Sequence, residues 1–225
     1  MSRLRLLLRR RAQGDQGMSL VELLVSMGIF MTIVSVFMAG VVIMTKNTTR
    51  AQAVGDSGDA VRKVFQRLDK DVRYAAAINR PGAGAAGTYY VEYLTTAVDT
   101  GLKPLCTQWR YTASTRKLEV RTWRTIAVPT PTAWRTMATN VRNDLTVVAQ
   151  RPFEFTAAGA MFRKQQLRVY LDVSPGATGA TARKGAQLDS VFVARNSSEL
   201  SQSNADAAPA DGLSDTPVCP GPGRP

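Results

Sequence analysis

Histidine is absent from the 225 residues of this chain. Its absence removes every mechanism that needs an imidazole base and nearly every catalytic zinc site built on three protein ligands. Cysteine occurs twice, which supplies half of a thiolate zinc shell and no more. Acid is scarce as well: 17 Asp and Glu stand against 29 Lys and Arg, a formal charge of +12. That excess leaves nucleic acid, an anionic membrane face and acidic polymers open as partners without choosing among them. No repeat of fixed period runs through the chain. What is present, 44% hydrophobic and 20% charged residues, suits one globular domain of ordinary size and excludes a collagen, a coiled coil and a wholly disordered chain.

The charge is unevenly placed. Residues 1–17 carry Arg3, Arg5, Arg9, Arg10 and Arg11 against the single Asp15. Residues 23–44 then hold no formal charge. As a helix rising about 1.5 Å per residue that stretch is roughly 33 Å long, enough to cross a bilayer. Basic residues on one flank place the N-terminal side in the cytoplasm and everything after Thr45 outside. A removed secretory signal would instead show a shorter apolar run ending at small residues. Here the run continues past Ala39, and bulky Phe37 stands two places before it, so an uncleaved membrane helix is the expectation. Residues 46–195 carry 23 Lys and Arg against 11 Asp and Glu and read as the exported globular part. Residues 196–225 contain five of the eleven prolines, four acids and the single base Arg224, and read as a loose Pro/Ser/Ala-rich tail.

Val61, Val64, Phe65, Leu68, Val72 and Ala76 recur at spacings of three and four, the stripe of an amphipathic helix. Asp56, Ser57 and Asp59 suit its start, so the spacing predicts a helix over residues 57–78, ending before Pro81. Gly55 and Gly58 separate it from the membrane span, so the two read as one long helix with a kink or weak point there. After Gly87 the texture turns to β. Residues 88–98, 107–112, 117–126, 145–150, 152–156, 166–173 and 187–194 are rich in Val, Thr, Tyr, Phe and Trp. Leu167, Val169, Leu171 and Val173 alternate cleanly with polar neighbours, and residues 109–120 read as a hairpin turning at 112–116. The expected fold class is α+β: a membrane-rooted helix continuing into an amphipathic half packed on an antiparallel sheet.

Several motifs have ordinary explanations. Gly82, Gly84 and Gly87 spell the dinucleotide fingerprint, but Pro81 opens it and a helix precedes it, the reverse of the strand-to-helix context that the chemistry needs. A helix-to-strand loop is expected instead. Ser114 and Lys117 have the spacing of a lysine-activated serine nucleophile, yet fall at a hairpin turn without supporting elements. Cys106 and Cys219, the only cysteines, suit a disulfide in an exported segment, with two free thiols as the alternative. Trp109, Arg110, Arg121, Trp123, Arg124, Trp134 and Arg135 could hold nucleic acid by phosphate contacts and base stacking, or be core tryptophans beside a solvated basic face. The most specific signal lies where the apolar run begins, at Gly17, Met18, Ser19, Leu20, Val21 and Glu22. A carboxylate at the head of a membrane helix needs a reason. Ser19 and Glu22 have capping-box spacing, which alone would account for Glu22.

These residues resemble the type IV pilin-like proteins, whose leader is basic and ends in glycine, followed by an apolar helix with glutamate fifth in the mature chain. Counted from Met18, Glu22 is fifth, and Gly17 stands before the cut; Met18 replaces the usual phenylalanine, which favours a minor member. The Trp109–Tyr111 hairpin ending in Leu118 and Arg121, the strand at 166–173 and the closing Val193, Ala194, Arg195 and Asn196 are similar to minor pseudopilins of the J and W type. The resemblance implies a structural subunit and no enzyme. A prepilin peptidase would remove residues 1–17 and leave 18–45 as the transmembrane and filament-core helix, 46–195 as the globular domain and 196–225 as the tail. Met18 would be methylated, and Glu22 would act in assembly. The implied partners are that peptidase, other pilin or pseudopilin subunits, and membrane lipid before assembly, with no cofactor, metal or small-molecule substrate. The implied location is a single pass in the cell membrane with an exported domain, then a surface filament. Two rivals remain: a minor pilin that binds DNA for uptake, and a membrane-anchored exported enzyme.

Overall fold

The computed structural model describes residues 19–96, 102–174 and 185–225. The chain divides into two compact units, one reaching Arg50 and one beginning at Ala51. Helix α1 (Leu20–Arg73) supplies the described part of the first unit beyond Ser19 and the opening of the second.

In the first unit every described residue is exposed, the apolar ones included. Ser19 begins the helix: its side-chain oxygen accepts from the Glu22 backbone N–H at 3.2 Å and its carbonyl from Leu23 N–H at 3.1 Å. The serine half of the expected capping box is thus formed. Residues 55–58 bring no interruption in the helical assignment, and a Cβ at Gly55 or Gly58 would meet nothing within 4 Å. The helix start expected at Ser57 is therefore interior. Ser57 is buried and its hydroxyl donates back to the Ala53 carbonyl at 2.8 Å, a bond that satisfies the side chain without ending the helix.

The second unit holds two antiparallel sheets. In the larger, strands β1 (Ala75–Ile78), β3 (Thr88–Thr95), β4 (Leu105–Thr112), β5 (Lys117–Arg124) and β6 (Arg135–Ala138) lie in that order, with the two-residue β2 (Gly82–Ala83) also on β3. The smaller has the order β7 (Phe153–Thr156), β8 (Gln166–Val173), β9 (Ala186–Val193). Val64, Leu68 and Val72 recur every four residues along α1 and are wholly buried, in one core with Val91, Tyr93, Trp109, Tyr111, Leu118 and Val120 of the larger sheet and Leu167, Val169 and Leu171 of the smaller. The fold is α+β, a long apolar N-terminal helix followed by antiparallel sheet, as the sequence pattern implies. The β4–β5 hairpin pairs Thr112 with Lys117, and β8 has the expected alternation without exception.

Four expectations fail for identifiable reasons. Residues 75–78 are a strand and not the last turn of the helix. Ala is the best helix former, but Ala77 and Ile78 pair with Leu94 and Tyr93, and the Ile78 N–H donates to buried Gln165 Oε1 at 2.7 Å. Residues 145–150 are not a strand. Asp144 accepts from both the N–H and the hydroxyl of Thr146, at 2.9 and 2.6 Å, and a 3-10 turn follows at Val148–Gln150. Strand β6 escaped notice because Arg-Thr-Met-Ala has Thr136 as its one β-branched residue and no aromatic; its pairing with β5 is what makes it a strand. Residues 196–225 have little regular structure but are packed, with Ser197 and Ser203 buried and Asn204, Cys219 and Arg224 bonded across the unit. Side-chain hydrogen bonds and a disulfide hold them where apolar mass does not.

The glycine motif has a structural reading, as expected of a loop. A Cβ on Gly82 would lie 2.4 Å from an Arg224 nitrogen, and Gly87 has φ +68° in the turn into β3.

Candidate functional site

The first candidate lies at the head of α1. Within residues 23–44 the only hydroxyls belong to Ser26, Thr32 and Ser35. Each donates to a carbonyl one turn back: Ser26 to Leu23 at 3.0 Å, Thr32 to Gly28 at 2.6 Å and Ser35 to Met31 at 2.7 Å. With the helical backbone bonds also internal, nothing along this stretch demands water, which is the requirement for a helix in hydrocarbon or in a dry bundle. Leu20–Arg73 is long and apolar enough to cross a membrane. Glu22, in the first turn, is the charged residue at its head; its carboxylate is exposed and forms no ion pair or hydrogen bond among the described residues. Its place at the positive end of the helix dipole is favourable but is worth only about 0.3–1 kcal/mol at an exposed site. Gly17 and Met18, the expected cleavage pair, lie outside the described residues.

The second unit carries a polar cluster on the face of the larger sheet opposite α1. Antiparallel register sets Glu92 of β3 beside Gln108 of β4 and Gln108 beside Arg121 of β5. Gln108 Nε2 donates to Glu92 at 2.8 Å, and Arg121 Nε donates to Gln108 Oε1 at 2.7 Å. Arg224 closes the row with a two-pronged contact to Glu92, at 2.7 and 3.0 Å. Glu92 is only 4% exposed, so this carboxylate depends on that guanidinium. Gly223 lends its carbonyl to both Gln108 and Arg121, and the Tyr90 hydroxyl donates to the carbonyl of Pro225. Burial holds the Arg121 guanidinium below its ordinary pKa.

Cys106 and Cys219 form a disulfide in the same region, their Cα atoms 5.7 Å apart. Trp123 packs beside it and donates from Nε1 to the Pro220 carbonyl at 3.1 Å. The bond joins positions 113 residues apart, for which chain entropy predicts roughly 4–5 kcal/mol. Non-reducing peptide mapping of the protein isolated without reductant is expected to yield one linked fragment holding both cysteines; two freely alkylated thiols would contradict it.

Of the seven basic and aromatic residues singled out by sequence, Trp109, Trp123 and Arg121 are buried. Trp134 is half-buried between two cations, with Arg110 at 4.1 Å and Arg121 at 4.3 Å from its ring centre, and Arg110 is also paired with Glu119 at 2.6 Å. Only Arg124 and Arg135 of the seven are exposed. Ser114 and Lys117 sit at the β4–β5 turn. Sequence reasoning missed the Glu92–Arg224 pair. The signal was the period-two placement of Glu92, Gln108 and Arg121 opposite the apolar positions Val91, Trp109 and Val120, which marks a second polar face needing a cover.

On the α1 side, Tyr93 accepts from Trp109 Nε1 at 3.0 Å and donates to Asp71 at 3.4 Å, while Arg67 holds the same carboxylate. Burial, with Asp71 adding to it, pushes the Tyr93 phenol well above its ordinary pKa, so it remains a donor and fastens α1 to β3. Comparison of the chain with protein-family models, with curated proteins and with solved structures finds no match.

Proposed function

We propose that the protein is a structural minor subunit, a minor pilin or pseudopilin of the J or W kind, in a type IV pilus or type II secretion filament. The observation that carries the reading is helix α1. Its charge-free stretch exposes apolar side chains on every side, satisfies each of its hydroxyls internally, and has one carboxylate, Glu22, at its head. A stretch of helix whose described residues are all exposed and mostly apolar calls for an apolar surrounding, first lipid and then the packed helices of a filament. Its continuation inside α1 carries Val64, Leu68 and Val72 into the core of the second unit, so an anchor and a displayed domain are covalently one piece.

In this reading a prepilin peptidase cuts after Gly17, the new amine on Met18 is methylated, and the domain from Ala51 onward faces outside. The protein is a scaffold element and no enzyme; its partners are that peptidase and the other filament subunits. The disulfide supports an exported domain, since such bonds persist in oxidising compartments.

Intact-mass and N-terminal analysis of protein from its native host tests the reading. The expected product begins at N-methylated Met18. A product beginning at Met1, or past Ala39, would overturn it.

A further inference from the structure

Strand β6 is the last strand on its side of the larger sheet, paired to β5 alone. Among the described residues no backbone bond is made to its other edge. An open edge is a row of unpaired N–H and C=O groups at the spacing of an extended chain. Natural edges are usually kept short or guarded by charge, and β6 is four residues long with Arg135 at its start.

Between this edge and α1 runs a groove of about 400 Å3, lined by Lys63, Gln66, Arg67, Arg135, Thr136 and Met137. The helix wall repeats at three and four residues, Lys63, Gln66 and Arg67, and exposed Lys70 continues it one turn on. Arg67 is paired with Asp71. Lys63, Lys70 and Arg135 are exposed and have no carboxylate partner among the described residues, a state that Lys103, Lys117 and Arg124 share, so it is their place at the groove that matters. Lys63 of the helix and Arg135 of β6 thus both line a groove that runs beside an open strand edge, with Lys70 one turn further along the helix.

We infer that this groove docks an acidic, extended segment of a partner protein, which adds to β6 as a further antiparallel or parallel strand. The open edge calls for a polypeptide in extended form, because main-chain pairing needs N–H and C=O at strand spacing. The unpaired cations call for carboxylates on that segment, which steer its approach and fix its register. A nucleic acid would satisfy the cations but leave the strand edge unpaired. The inference stands whether or not the chain is a filament subunit, since every residue in it lies in the unit that begins at Ala51.

The test uses the full chain in detergent and an eight-residue capped peptide of alternating Thr and Glu, by fluorescence anisotropy at low salt. Three further probes share the assay: the same peptide N-methylated at alternate residues, its Thr-Lys counterpart, and a 20-base-pair duplex DNA. The Thr-Glu peptide is expected to bind, and the N-methylated form to bind at least tenfold more weakly although its charge is unchanged. The Thr-Lys peptide should not bind. Lys63→Glu with Arg135→Glu should weaken the Thr-Glu peptide at least tenfold, while Lys103→Glu with Lys117→Glu, the same charge change at two exposed residues outside the groove, should leave it within twofold. Circular dichroism of each variant shows that the fold is kept. N-methylated and parent peptides binding alike would overturn the strand addition, and so would DNA displacing the peptide while binding more tightly. Equal effects of the Lys103 and Lys117 pair and of the groove pair would overturn the site.

Discussion

On the proposed filament-subunit reading, replacing Glu22 with glutamine is expected to leave the protein in the membrane and cut after Gly17, and to deplete it strongly from filaments. Within its own chain the Glu22 side chain does little. Its carboxylate has no partner among the described residues, and the Ser19 cap is made through the Glu22 backbone, which glutamine keeps. Capping therefore predicts no loss for glutamine and about 1 kcal/mol or less for alanine. Insertion gives no reason to keep the acid either. A carboxylate costs about 2.5–3.5 kcal/mol at the centre of a membrane helix, and less at its end. A dry bundle of helices changes the balance. There an amine freed on Met18, from a neighbouring subunit or from the same chain, would be the opposite charge at hydrogen-bonding distance, and charge-assisted bonds are about twice as strong as neutral ones. Glutamine keeps shape and hydrogen bonding and removes only the charge. Co-purification of the parent, Glu22→Gln and Glu22→Ala with sheared filaments decides the matter. Both variants depleted, with normal Gly17 cleavage and membrane fractionation, is the expected result. If Glu22→Gln incorporates like the parent, charge pairing is not the assembly device.

The head of the chain was legible because its chemistry is local. Ser19, Glu22 and the charge-free run are neighbours in sequence, and a helix converts that proximity directly into geometry. The strands β3, β4, β5 and β8 were legible for a similar reason, since period-two alternation and a short hairpin need no distant partner. Failure came where a distant partner decided. Ala75 to Ile78 have helical propensity, yet Gln165, 87 positions on, takes the Ile78 N–H, and β3 takes the rest. A four-residue edge strand such as β6 has almost no pattern of its own.

The packed tail shows the same limit from the other side. Composition describes residues 196–225 correctly as poor in large apolar side chains, and the inference from poverty to looseness is sound only if nothing else binds them. Here Asn204 meets Gln165 at 2.7 Å, Val218 donates to Asn79 at 2.9 Å, and Cys219 is covalently held. Of the site residues, Cys106 and Cys219 were legible as a pair because they are the only two cysteines and an exported segment favours a bridge over two free thiols. The Glu92–Arg224 contact, 132 positions apart, was not.

That contact yields the second large expected effect: Arg224→Ala should destabilise the unit by about 3–5 kcal/mol, the usual result of removing one partner from a buried ion pair. Since whole domains are stable by only about 5–15 kcal/mol, this is a large share from a single side chain. The reason is Glu92, which would keep a charge in a place 4% exposed, with Gln108 and a 3.5 Å contact from Asn79 as its remaining donors. Arg224 also donates to the Arg80 carbonyl at 2.7 Å, so that acceptor is orphaned too. Truncation before Cys219 goes further, stripping the disulfide, the Gly223 carbonyl from Gln108 and Arg121, and the Pro220 carbonyl from Trp123. It is expected to leave the unit unfolded at 37 °C. A double variant separates lost attraction from stranded charge. With Glu92→Gln present, Arg224→Ala should cost at least 1 kcal/mol less than it does alone, because no buried carboxylate remains to be compensated. Urea unfolding of the full chain in detergent, followed by tryptophan fluorescence from buried Trp109 and Trp123, measures all four forms of the cycle. Equal costs of Arg224→Ala in the two backgrounds would mean that Arg224 acts through packing and its bond to Arg80, and that Glu92 does not need it.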